Sequence, residues 1–206
     1  MIVIVLLLVA VLTVPLAGGR LGALAQLPVR GTGLVMAAFG IQLLAISIFP
    51  SMDHRLAETI HLASYALAAA FCLLNLHIRW MSLTGFGGAM NALAVVANGG
   101  VMPASRWATR TAGMALTNGE FANSQILQHP RLLLFGDIMA IPARWPLANV
   151  FSIGDVVLVL GVTLLLHSAC GSGRPVPSPV YGVEASVAHS WGTTQAQPAG
   201  EQRSTS

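Results

Sequence analysis

Asp155 and Asp137 are the residues whose type and setting point most directly to chemistry. Asp155 lies in "NVFSIGDVVLVLGVTLLLHS", just inside a long apolar run, and Asp137 lies in "LFGDIMAIP", a second acid in apolar surroundings. Two carboxyls in one dry pocket cannot both ionise freely, so one is held protonated while the other stays charged. Such a pair activates a water, as in an aspartyl hydrolase, which makes Asp155 and Asp137 the candidate catalytic residues. Asp155 also has a plainer explanation. An acid in the first turn of a helix interacts favourably with the helix dipole, and Ser152 stands where its hydroxyl can cap the same helix by accepting the amide of Asp155.

Amides and an imidazole form a second group. His61, Tyr65, Ala68, Cys72 and Asn75 follow one another at spacings of four, three, four and three, which is one face of a helix. Gly87, Asn91, Ala94 and Asn98 do the same in the next run, with Gly88 beside them. Lipid cannot satisfy an amide or an imidazole. Both faces are therefore expected to turn inward, and the small residues allow a close approach. Gln42, in an earlier run, is expected to join them. Asn91, Asn98, His61 and Gln42 are thus the candidate binding residues. Their alternative role is to tie helices together, at about 0.6 kcal/mol per hydrogen bond. No metal or cofactor is expected. Asp53, His54, Glu58 and His61 crowd one stretch but lack any recognised ligand spacing, and Cys72 and Cys170 stand alone without a CxxC pattern.

These side chains need elements to position them, and composition constrains what those are. The chain has 206 residues, 55% hydrophobic and 8% charged, against about 25% charged in an ordinary soluble domain. Lipid is therefore the expected main solvent, and the expected fold class is an all-α integral membrane protein. Five transmembrane helices are expected over about 1–18, 32–49, 59–78, 83–98 and 150–170, each near the length of about 20 apolar residues that spans a bilayer. Nothing basic precedes the first stretch, so it reads as a retained helix and not a cleaved signal peptide. Arg20, Arg30 and Arg79 in short loops, against Arg55 on the other side, favour a multi-pass cell-membrane protein with its N-terminus outside and its C-terminus cytoplasmic.

Segment 99–149 is expected to be an extracytoplasmic or interfacial loop. It is polar at first, then broken by Pro142 and Pro146, with Trp145 suited to the headgroup level. Residues 171–206 are rich in Gly, Pro and Ser without periodicity and are expected to form a disordered tail. All ten basic residues are arginine, but a formal charge of +3 is too small and scattered to argue for nucleic acid. The expected partners are membrane lipid and a protein bound through the 99–149 loop.

Several of these motifs together resemble a family. "MNALAVVANGGVMPAS", "LLLFGDIMAIP" and "NVFSIGDVVLVLG" look like small multi-pass membrane proteins of Gram-positive bacteria that form a domain of unknown function. The most specific elements are Asn91, Asn98-Gly99-Gly100 with Met102-Pro103, Gly136-Asp137, and Ser152-Ile153-Gly154-Asp155. The resemblance covers roughly residues 1–168 and implies an integral membrane protein without implying an activity. "VFSIGDVVLVLGVTLLL" is also similar to the last motif of lipoprotein signal peptidases, with Asp155 in the place of one catalytic aspartate. "GGAMNALA" resembles that family's other motif, with Asn91 on its asparagine but one residue short before it. Ala94 occupies the second aspartate's slot, so the dyad that this likeness implies needs Asp137 from the loop.

Overall fold

The computed structural model describes residues 2–47, 54–114 and 124–172. Apolar runs form the long helices, and glycines turn the chain between several of them. Helix α1 (Ile2–Leu16) carries its one breaker, Pro15, in the last turn, and the chain leaves it at Gly18 with φ of 75°. A 3-10 turn over Leu21–Gln26 leads to helix α2 (Thr32–Ser47). Helices α3 (His54–Leu74) and α4 (Met81–Ala97) follow. Beyond α4, Gly100 N–H donates to the Val95 carbonyl at 2.9 Å and Gly99 N–H to the Val96 carbonyl at 3.3 Å. With φ of 70° and 97° at the two glycines, this closure turns the chain sharply out of the helix. It explains the Asn-Gly-Gly of the sequence.

The stretch that follows has secondary structure of its own. Strand β1 (Met102–Pro103) pairs in parallel with β2 (Ser124–Gln125). Between them lies the short helix α5 (Arg106–Thr111), capped by Ser105, whose hydroxyl accepts the Ala108 amide at 3.1 Å. Strands β3 (Met139–Ile141) and β4 (Asn149–Phe151) form an antiparallel hairpin. Helix α6 (Ile153–Ala169) starts two residues after β4 ends.

Helix α4 packs against α6 more extensively than any other described pair of elements, with α2 on α3 next and α1 on α6 and α3 on α4 after them. Close approach of α4 and α6 depends on missing side chains. A Cβ on Gly87 would lie 2.8 Å from the Leu158 Cα, and one on Gly161 would lie 2.6 Å from the Thr84 nitrogen. Two small apolar clusters anchor the remainder. Ala94, Val95 and Met102 pack with Leu62, Tyr65 and Phe135, while Ala108, Ala112 and Val150 pack with Ala140.

The expected five-helix transmembrane bundle is overturned: among the described residues no helix is long and apolar enough to cross a membrane. Helices α1, α2, α4 and α6 have 15 to 17 residues and rise only about 22–26 Å, short of the roughly 30 Å of hydrocarbon. Helix α3 has 21 residues, but His54, Arg55, Glu58 and His61 occupy its first turns. The multi-pass membrane location, with its inside and outside ends, falls with the spans. The all-α class is corrected too, because the described residues of 101–151 contain two small strand pairings. The apolar runs overshot the helices because their ends are spent on turns and strands: 98–100 close α4, and 149–151 belong to β4. The composition's apolar excess appears instead as exposed side chains, Leu12 and Leu16 on α1 and Phe86 and Val96 on α4 among them. The tail lies outside the described residues from 173 onward.

Candidate functional site

The start of α6 and the last turns of α4 meet through a closed set of hydrogen bonds. Ser152 and Asp155 form a capping box: the Asp155 amide donates to the Ser152 Oγ at 2.9 Å, and the Ser152 amide donates to the Asp155 Oδ2 at 3.0 Å. This satisfies two backbone donors that a helix start leaves open. The box then reaches across to α4. Asn91 Nδ2 donates to Asp155 Oδ1 at 2.7 Å, and Ser152 Oγ donates to Asn91 Oδ1 at 2.7 Å. Gly154 leaves room for the asparagine, since a Cβ there would lie 2.7 Å from the Asn91 Cγ. Asn91 and Ser152 are buried and Asp155 is half-buried. The cap and the interhelical contact are thus one unit.

Asp137 sits where three segments of the 101–151 stretch join. Its amide donates to the Pro103 carbonyl at 2.9 Å, and its own carbonyl accepts the Ser105 amide at 2.9 Å. Its side chain accepts a short hydrogen bond from the Ser124 hydroxyl. Burial pushes its carboxyl up to about 6; the Ser124 hydrogen bond works the other way, and the charge of Asp155 adds to the rise. The two carboxylates therefore feel each other, but no hydrogen bond joins them. Tyr65 senses both: burial raises its phenol, and the charges of Asp155 and Asp137 raise it further. His61 lies against Tyr65 edge-on, with ring centroids 5.1 Å apart, and burial lowers its pKa.

The six candidates of the sequence divide here. Asn91 and Asp155 are in direct contact, Asp137 is linked to Asp155 by charge, and His61 joins through Tyr65. Asn98 does something else. Its amide donates to the Ala94 and Arg131 carbonyls, each at 2.7 Å, and its Oδ1 accepts the Arg131 amide at 2.8 Å. It pins the backbone at Arg131. Gln42 is half-buried on α2, which packs on α3, and no hydrogen bond ties it to Asn91 or Asp155. Sequence reasoning passed over Tyr65 and Ser124 as site residues. Tyr65 carries a signal, one helical turn after His61 on the same face; Ser124 carries none, because its partner is fixed by strand pairing. Among the described residues no group of three or more His, Cys, Asp or Glu side chains could hold a metal ion. Asp53 lies outside the described residues.

A family of unknown function, DUF5317, matches residues 26–167 of the chain. The match supports an uncharacterised family and carries neither the motifs singled out above nor a Gram-positive origin. No curated protein and no solved structure matches the chain. The likeness to lipoprotein signal peptidases therefore rests on the short motifs around Asp155 and Asn91.

Proposed function

We propose that this chain, which belongs to the family of unknown function DUF5317, is a helical scaffold whose polar junction holds the described parts of 99–149, residues 99–114 and 124–149, in fixed shape for a protein partner. One observation carries this reading: both oxygens of Asp155 already accept donors, Asn91 Nδ2 on one and the Ser152 amide on the other. A carboxylate fixed by its own helix start and by a neighbouring helix is a fastening. Asn98 extends the same role by holding the backbone at Arg131. The test is a double-mutant cycle of Asn91→Ala and Asp155→Ala, read by urea unfolding. A coupling of about 1.5–3 kcal/mol, the range for a hydrogen bond to a charged group, is expected. Additive losses would refute the fastening.

A second reading, an aspartyl hydrolase using Asp155 with Asp137, is favoured by the Asp137 carboxyl standing near 6 with Asp155 contributing to the rise. It requires peptide-bond hydrolysis with a bell-shaped pH profile, abolished separately by Asp137→Asn and Asp155→Asn. A profile unmoved by Asp137→Asn removes it.

A further inference from the structure

The outer side of α5 and the tip of the β3–β4 hairpin form one face. On the inner side of α5, Ala108 and Ala112 pack with Val150. That leaves Arg106, Trp107 and Arg110 exposed, with Trp107 at 64%. The Ala143 amide donates to the Thr111 carbonyl at 2.9 Å, and a Cβ on Gly113 would stand 2.8 Å from that of Ala143. The hairpin tip is thereby seated against the end of α5. Beyond this joint Arg144, Trp145 and Leu147 are exposed, Trp145 at 60%.

Among the described residues of 101–151 the one acid is Asp137, which is buried, so every exposed Asp, Glu, Lys or Arg there is an arginine. Gathering like charges and large apolar rings on one surface is unfavourable for the isolated protein. Arginine and tryptophan are also the residue types that most often carry binding energy at protein interfaces. A guanidinium matches a carboxylate with two parallel hydrogen bonds, whereas Leu147 offers a polyanion nothing and an apolar side chain a contact.

We propose that this face binds an acidic protein segment that also carries apolar side chains, docked across Arg106, Trp107, Arg110, Arg144, Trp145 and Leu147. The inference rests on the scaffold reading and names its partner's chemistry.

The test uses the purified full chain and a fluorescein-labelled 12-residue peptide in which glutamates alternate with leucine and phenylalanine. A second peptide has glutamine for every glutamate, and phosphatidylglycerol vesicles serve as an anionic lipid surface. The glutamate peptide is expected to bind at least tenfold tighter than the glutamine peptide, to weaken with salt, and to lose about tenfold on Arg110→Ala with Arg144→Ala. Trp107→Ala with Trp145→Ala should weaken both peptides. Equal binding of the two peptides, indifference to the arginine changes, or arginine-dependent binding of the vesicles without the peptide overturns the proposal. These are exposed positions, so an unchanged unfolding midpoint separates a failure here from a failure of the Asn91–Asp155 fastening, which is read in stability.

Discussion

Replacing Asp137 by asparagine should stabilise the protein at neutral pH. The carboxyl stands at about 6 in the folded chain against an ordinary 3.8. At 1.36 kcal/mol per pKa unit, keeping it ionised costs the fold about 3 kcal/mol above pH 6. The direction follows from proton binding. Below 3.8 both states are protonated, and the group contributes nothing. Between 3.8 and 6 the folded state holds a proton that the unfolded chain has released, so stability falls as pH rises through this window. Asparagine keeps an oxygen for the Ser124 hydroxyl, but its new N–H donors, if unmet, cost about 1–3 kcal/mol. The gain at pH 7.5 should therefore be up to about 2 kcal/mol. The assay is urea unfolding of both proteins from pH 4 to 8, followed by circular dichroism. The difference at each pH isolates this carboxyl, since His61, whose pKa burial lowers, contributes the opposite slope to both proteins: loss of stability as pH falls below its ordinary 6.5. The variant's advantage should appear between pH 4 and 6 and then level off. An asparagine variant less stable at every pH would refute the reasoning, because the ionised form would then be favoured by its surroundings.

Gly87→Ala should cost about 1–3 kcal/mol, because its Cβ falls on the backbone of Leu158. Gly88→Ala, whose Cβ would meet only the end of the Leu158 side chain at 4.0 Å, should gain up to about 1 kcal/mol from helix propensity; unfolding midpoints compare the two. Asn75→Ala should exceed Asn98→Ala in cost. Asn75 is buried and makes the equivalent contacts with Arg30, accepting its amide at 2.8 Å and donating to its carbonyl at 2.7 Å. Loss of amide hydrogen-exchange protection at Arg30 and Arg131 checks each.

Much of the junction was legible before any coordinates. Asn91 and Asp155 could be predicted to turn inward because an amide and an acid in apolar runs must find partners, and here each is the other's. Ser152 as the cap followed from its position three residues before Asp155. Asn98 shares the heptad position of Asn91, yet it serves the backbone at Arg131. Periodicity sorts residues by face and says nothing of where along that face the helix ends. Tyr65 feels the charges of two carboxylates that come from α6 and from the 101–151 stretch, a relation set by tertiary packing. The membrane reading failed on length. Hydropathy counts apolar residues without regard to whether they lie in a helix, and the closing turn of α4 and strand β4 took the residues that a full span needed. The strand pairings in 101–151 are two or three residues long, too short to show the alternation by which a strand is recognised.

Asn75 and Asn98 hold their distant partners in one manner: each amide also donates to the carbonyl four residues earlier in its own helix, Phe71 and Ala94, and each takes both the N–H and the C=O of a single residue. Both fastenings therefore ignore the identity of the residue they grip. Positions 30 and 131 are free to drift through nearly the whole alphabet of amino acids while the loops keep their anchorage. Proline is the exception, since it alone arrives without the hydrogen that the asparagine oxygen accepts.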